Sequence, residues 1–318
     1  MPWYFWLAVG VIAMVLLALL TAYYCFRRIF YSAKRKILKE DEYELPEGEV
    51  YEPHYAQISD WIKAIRAMPH EDVSILSHDG LTLRGKYYEC KKGAPVELLF
   101  HGYRGSGERD LCGGVERCFA LERNALIVDQ RAGGTSDGHI ITFGIKERLD
   151  CLRWVDFAIE KFGTEAEIIL TGISMGAATV LMASGEKLPK NVVCVLADCG
   201  YTSPKAIIQK VIQDMKLPIK LVYPFVHFGA RMFGGFDLEE TSPIEAVKKS
   251  RVPVIYIHGE TDDFVPCEMS RLNFEACASK KSLVTIANAG HGLAYPVDKE
   301  KYLQALRDFE KEWKKCAE

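Results

Sequence analysis

None of the ten cysteines stands in a C-x-x-C pair and their spacing does not repeat, which leaves zinc-ribbon and thioredoxin-like readings without support. A glycine-rich phosphate loop and a His/Cys cluster at metal-ligand spacing are missing as well, so no cofactor and no metal is implied. The net charge is only −3 and evenly spread beyond residue 40, which argues against nucleic acid as a partner. No internal repeat or low-complexity tract interrupts the 318 residues. A share of 49 % hydrophobic against 26 % charged residues is the balance of a folded chain, not a disordered one. Scattered cysteines, several inside apolar runs, read as free thiols in a reducing compartment.

Charge is also absent from one whole segment. The stretch MPWYFWLAVGVIAMVLLALLTAYYCF, residues 1–26, has no ionisable acid or base side chain of the Asp, Glu, Lys or Arg kind. As a helix, residues 3–26 would extend about 36 Å, enough to cross a hydrocarbon core of about 30 Å. Trp3, Tyr4 and Trp6 at one end and Tyr23 and Tyr24 at the other stand where interfacial aromatic belts form. A cleaved signal peptide would need basic residues ahead of the apolar run and a small-residue cleavage site behind it, and neither is there. Residues 1–26 are therefore expected to be an uncleaved transmembrane anchor, with the lipid bilayer as partner. Arg27, Arg28, Lys34, Arg35, Lys36 and Lys39 follow it. By the positive-inside rule the N-terminus lies outside and the remainder, including any catalytic domain, is cytoplasmic.

Residues 27–70 then read as a basic juxtamembrane segment, an acidic Pro- and Gly-containing linker at 40–54, and a short amphipathic helix. Ile58, Trp61, Ile62 and Ile65 share one face of that helix, and Pro69 stops it. From 71 to 318 the pattern becomes regular. EDVSILSHDGLTLRGKYYE alternates about Asp79-Gly80 as a β-hairpin. Six apolar runs follow: PVELLFHG, ALIVDQR, EIILTGIS, NVVCVLADC, VPVIYIHG and SLVTIANAG. Strands this hydrophobic are covered on both faces, as in a parallel sheet. Helical stretches at 144–162, 174–187, 266–278 and 298–315 separate them, so the body is expected to be a doubly wound, mostly parallel α/β domain. Residues 201–251 are too long for a simple crossover and read as an inserted helical cap, placed to roof a site at the strand ends.

In EIILTGISMGAATVLMASG a serine, Ser174, stands between Gly172 and Gly176 where a strand turns into a helix. Such a turn can lift a hydroxyl clear of its neighbours, although a serine there can equally be a helix N-cap. A hydroxyl needs a base to become a nucleophile. His291 directly follows the last strand, and Asp262 and Asp263 follow the strand before it. Asp198, after another strand, is a further candidate acid. His101 reads as structural. The order Ser, Asp, His at strand carboxyl ends suits an acyl-transfer triad.

On these residues the stretch 71–318 resembles the serine-hydrolase branch of the α/β-hydrolase superfamily, near its esterases, lipases and acyl-peptidase-like members. The similarity rests on FHGYRGSG (100–107), DQRAGGTSDG (129–138), GISMGA (172–177), and HGETDDFVP with AGHG. It implies Ser174 as nucleophile, His291 as base and Asp262 as acid, with Asp263 at a variable position. It also implies an oxyanion hole from the backbone N–H groups of Tyr103 and Met175. In one place the chain departs: Gly133 stands in RAGGTS where the family often has histidine.

The expected activity is hydrolysis of a carboxylic ester through an acyl-serine. An apolar cap beside a membrane anchor suggests a lipid-derived substrate of the lysophospholipid or monoacylglycerol kind. The cap's Leu217, Ile219, Leu221, Val222, Phe225 and Phe228 either line an acyl pocket or pack the cap in place. The same triad could cleave an amide or transfer the acyl group to another alcohol, and a non-catalytic membrane-tethered binding module is the alternative from outside enzymology. Nothing in the sequence specifies an oligomeric state.

Overall fold

The computed structural model describes residues 2–33 and 42–314; Lys34, Arg35, Lys36, Lys39 and Cys316 lie outside them. The apolar N-terminal run is helix α1, Trp3–Ile29, the one helix among the described residues long and apolar enough to cross a membrane. It continues past the expected end at Phe26 because its last turns are held by protein. Ala22, Phe26 and Phe30 are buried, whereas residues 3–17 are each exposed. A 3-10 turn, Glu49–His54, leads into α2, Tyr55–Ala67, where Ile58, Ile62 and Ile65 are the buried face.

The hairpin forms as expected, with β1 Glu71–Leu76 antiparallel to β2 Thr82–Tyr88. The rest alternates: β3 Val96–Phe100, α3 Gly107–Ala120, β4 Asn124–Val128, α4 Glu147–Phe162, β5 Ile168–Ile173, α5 Met175–Ser184 and β6 Val192–Asp198. An insertion of α6 Pro204–Asp214, α7 Ile219–Gly229, a π-helical turn Ala230–Gly234 and α8 Pro243–Val247 precedes β7 Val254–Gly259. The chain closes with α9 Cys267–Ala276, β8 Lys281–Ile286, α10 Ala294–Val297 and α11 Lys299–Lys314. Local chemistry sets these ends. Ser106, Ser203 and Ser242 cap α3, α6 and α8, the last two followed by a proline in the first turn. Helix α4 starts later than the expected 144 because the Glu147 carboxylate accepts the N–H groups of Thr142 and Gly144, closing the turn ahead of it.

The eight strands form one sheet in the order β1-β2-β4-β3-β5-β6-β7-β8, parallel from β4 to β8. Successive residues of each central strand enter opposite cores, which is why the runs are apolar throughout. Leu98, Leu126, Leu170, Val195 and Tyr256 face α4, α5, α8 and α9. Ile127, Ile169, Leu196 and Ile255 face α2, α3 and α11. This is the α/β-hydrolase architecture. Its winding reverses between β3 and β5, and in such sheets the crevice outside the carboxyl ends at the reversal is where ligands bind.

Candidate active site

Ser174 follows β5 directly, at that reversal. Its φ of 56° and ψ of −114° are unfavourable for a residue with a Cβ, and its side chain makes no cap to α5, so the helix-cap reading fails. The two glycines explain how so sharp a turn packs. A Cβ at Gly172 would lie 2.1 Å from the Gly176 carbonyl carbon, and one at Gly176 would lie 2.0 Å from the Phe100 oxygen. The elbow is thus pressed between its own helix and β3, and the Ser174 N–H is pinned to the Asp198 carbonyl at 2.8 Å.

The hydroxyl so presented meets a base. His291 Nε2 lies 2.9 Å from Ser174 Oγ, and its Nδ1 lies 2.7 Å from Asp262 Oδ2. Asp262 is buried, and its other oxygen accepts the N–H groups of Phe264 and Val265 at 3.0 and 2.8 Å. Burial by itself would raise this carboxyl. Hydrogen bonds from His258 and His291 and the Val265 N–H outweigh it and hold the group down at about 2. The carboxyl is therefore charged throughout the neutral range and, as an acceptor, fixes a proton on His291 Nδ1, leaving Nε2 toward Ser174.

Of the residues singled out from sequence, Ser174, Asp262 and His291 come together. Asp263 is exposed on the wall of the same cavity, with no hydrogen bond to His291 among those described, and its carbonyl takes the Lys210 ammonium. Asp198 is buried, accepts the Tyr302 hydroxyl at 2.9 Å, and is raised by that burial, so it supports the elbow through its backbone and leaves His291 to Asp262. His101 is structural: its Nδ1 meets the Gly102 carbonyl and its Nε2 accepts the Gln130 N–H. That explains the departure at Gly133, because a Cβ there would sit 2.6 Å from His101 Nε2.

Met175 and Tyr103, whose N–H groups are the expected oxyanion donors, lie on the α5 and β3 sides of Ser174, and both Tyr103 and Ser174 line one cavity. Met175 opens α5, where a first-turn N–H has no intrahelical acceptor, and the β3 loop comes close enough that a Cβ on Gly102 would lie 3.6 Å from Ser174 Cβ. The Tyr103 hydroxyl donates to the Ile29 carbonyl at 2.6 Å, and Arg104 donates to the carbonyls of Arg28 and Tyr31 at 2.8 and 3.1 Å. The loop beside Ser174 is therefore fastened to the end of α1.

Two features escaped the sequence reading. His258, at the end of β7, is fully buried, with Nδ1 at 2.6 Å from Ser270 Oγ and Nε2 at 2.8 Å from the Val265 carbonyl and 3.2 Å from Asp262 Oδ2. Since a carbonyl can only accept, Nε2 carries the proton and donates to both oxygens. Its signal was the histidine four positions ahead of Asp262. The second is the roof. A cavity of about 700 Å³ opens at Ser174 and His291, lined by Glu44, Pro46, Val50 and Tyr51 on one side and by Trp61 and Leu111 on another. Among the described residues its lining includes none from 201–251, so the expectation that the cap roofs the site is corrected. The acidic stretch read as a linker does this instead, tied down by Glu44 to Arg109 at 3.2 Å and by Tyr55 to the Pro46 carbonyl at 2.9 Å. The cap turns its apolar residues elsewhere: Tyr223, Val226 and Ala230 share a core with Phe26 and Phe30 of the N-terminal segment.

Two other groupings have the donor types of a metal site. In Cys199, Asp262 and His291 the last two are engaged in the relay just described. In His78, Asp79 and Asp150 both carboxylates are paired with the Arg131 guanidinium.

Comparison with known proteins finds relatives of this chain and solved structures of the same fold. The chain is 27 % identical over 187 residues to YqkD of Bacillus subtilis, spanning 58 % of this chain and 61 % of that protein. It is 26 % identical over 250 residues to the protein bem46 of Schizosaccharomyces pombe, covering 76 % and 77 %. Among solved structures, an esterase of Pyrococcus furiosus superposes with a TM-score of 0.65 at 21 % identity over 90 % of this chain and 99 % of that one. Est1E of Butyrivibrio proteoclasticus, solved with ferulic acid, superposes at 0.58 and 21 % identity over 76 % and 98 %. The prolyl oligopeptidase family profile matches residues 142–316, more than half of the chain and the part that contains Ser174, Asp262 and His291; this chain belongs to that family of α/β-hydrolase serine hydrolases.

Proposed function

We propose that this protein is a membrane-anchored carboxylic ester hydrolase that works through an acyl-serine intermediate. The observation that carries the reading is the unbroken relay from Asp262 through His291 to Ser174, at 2.7 and 2.9 Å, on a strained elbow. In this mechanism Ser174 Oγ attacks the ester carbonyl carbon as His291 Nε2 takes its proton. The carbonyl oxygen, now negative, is held by the N–H groups of Met175 and Tyr103, each such donor being worth about 2.7–4 kcal/mol of barrier. His291 gives its proton to the departing alkoxide, and water, activated by the same imidazole, releases the acid. Asp262 stays ionised and stabilises the imidazolium.

A lipid-derived ester is the substrate we favour. Fastening of the Tyr103–Arg104 loop to the last turn of α1 supports it, since a spanning α1 would hold the cavity mouth at the bilayer surface. Arg27 and Arg28 in that last turn support a cytoplasmic catalytic domain and an external N-terminus. Fluorophosphonate labelling of wild type and Ser174→Ala tests the enzyme reading: wild type labels and the variant does not. Equal labelling of both, or of neither, sinks it. Long-acyl and short soluble esters presented with vesicles test the substrate, and hydrolysis confined to the short ones removes the lipid version. Membership of a peptidase family favours amide cleavage as the second reading, which aminoacyl-amide substrates distinguish directly.

A further inference from the structure

Helix α1 is free of the rest of the protein over only part of its length. Val15, Ala18 and Leu19 already form a groove with Pro224, Phe225 and Phe228 of α7. Further on, Gly229 comes so close that a Cβ there would lie 2.5 Å from the Ala22 carbonyl oxygen, and Phe233 meets the rings of Tyr23 and Phe26 at 5.2 and 5.9 Å. The unaccompanied part, Trp3–Met14, is about 18 Å of helix at about 1.5 Å per residue. A hydrocarbon core of about 30 Å needs about 20 residues. Counted from Trp3, such a span ends near Ala22, level with Gly229 and past the whole groove.

We infer that cap helix α7 enters the bilayer beside α1, so that the membrane holds a pair of helices, one spanning and one partly immersed, with a lipid acyl chain in the groove between them. The inference rests on the reading of α1 as a membrane span. Its surface fits. Leu221 and Phe228 of α7 are 62 % and 45 % exposed, and Met215, Leu217 and Met232 around them are exposed too. Together they extend the bare apolar surface of α1 sideways, a larger patch than a water-facing protein ordinarily shows. The groove, about 380 Å³, is walled only by apolar side chains. At 11 residues α7 is too short to cross by itself. The core that joins Tyr223 and Val226 to Phe26 and Phe30 ties the buried side of α7 to the membrane helix, which accounts for a cap that contributes nothing to the cavity at Ser174.

The test uses the full chain in vesicles of phosphatidylcholine and phosphatidylglycerol. A benzophenone side chain is placed singly at Leu221, at Phe228, at the exposed α1 residue Leu17, and at Lys190 on the amino edge of the sheet, and lipid adducts are read by mass after illumination. Adducts at Leu17, Leu221 and Phe228, with none at Lys190, are expected. Adducts at Leu17 with loss of those at Leu221 and Phe228 overturn the immersion of α7 while leaving the span intact. No adduct at Leu17 removes the span and the inference with it. Crosslinks from Leu221 and Phe228 to a second protein chain instead of lipid show that another copy covers this face, and also overturn it.

Discussion

At the scale of single residues the site turns on one carboxylate with two imidazoles. Asp262 orients His291 on one oxygen and is itself steadied by His258 and two backbone N–H groups. Asp262→Asn keeps the shape but offers His291 an amide in place of the ion, so kcat falls by about 10⁴-fold with the circular dichroism spectrum unchanged. Asp198→Asn, which alters a group that does not reach His291, leaves the pH–rate profile in place. The same carboxylate couples stability to acid. Its folded-state pKa is depressed from 3.8 to about 2, so its contribution is complete above about pH 4 and is lost as pH falls toward 2. The loss is on the order of 2 kcal/mol. Urea unfolding at a series of acid pH values shows it in wild type, Asp262→Asn lacks it, and His258→Gln shifts it to higher pH by removing one donor.

Elements are held in register by contacts that few residue types can make. Glu97 of β3 is completely buried and accepts from Arg117 of α3, from Arg123 at 3.2 Å and from Thr171 of β5 at 2.6 Å. Burial would raise its carboxyl, but the two guanidiniums keep it below its ordinary value. Glu97→Ala takes from buried Arg117 its carboxylate partner and from Arg123 one of two, the other being Glu310, and destabilises the fold by about 3–5 kcal/mol in chemical unfolding. The elbow is as intolerant. In Gly176→Ala the new methyl meets the Phe100 carbonyl, so backbone must move at the point where Ser174 is aimed. Turnover of that variant is expected to drop at least as steeply as its thermal midpoint, measured on the same preparation.

For the whole molecule the decisive contact joins the N-terminal helix to the cap. Phe30 is fully buried between Phe143 and Phe236, with ring centroids 5.7 and 5.3 Å away, and the following strand-like bridge pairs Tyr31 with Ile140. Phe30→Ala costs about 3–5 kcal/mol. Removing residues 1–33 altogether uncovers the apolar faces of Phe143, Val226 and Phe236 and cuts the anchors of Tyr103 and Arg104. The shortened protein is therefore expected to aggregate, seen by light scattering, and not to behave as a soluble catalytic domain.

Much of this was legible in the chain itself, for a physical reason: periodicity, capping serines and the glycines of an elbow act over a few residues. The β-strand runs, the hairpin about Asp79-Gly80, the helix with Ile58, Ile62 and Ile65 inward, and Ser174 between its glycines all follow from local sterics and hydrophobic spacing, and each occurs in the fold. So does the convergence of His291 with Ser174, since both follow parallel strands that end on one edge. What depends on which surfaces meet was left to tertiary structure. The family resemblance already named Asp262 as the acid, but only the fold shows that it, and neither Asp198 nor Asp263, faces the imidazole. The role of Gly133 required seeing His101 in the space a side chain would fill. The roof was misassigned because an acidic, Pro- and Gly-containing segment has no periodicity to show that Val50 and Tyr51 would lie over the cavity, while the apolar cap was free to satisfy its hydrophobic face against α1 instead. Local sequence set the elements and the chemistry they carry; burial of apolar surface between distant segments decided what covers the site and what meets the N-terminal helix.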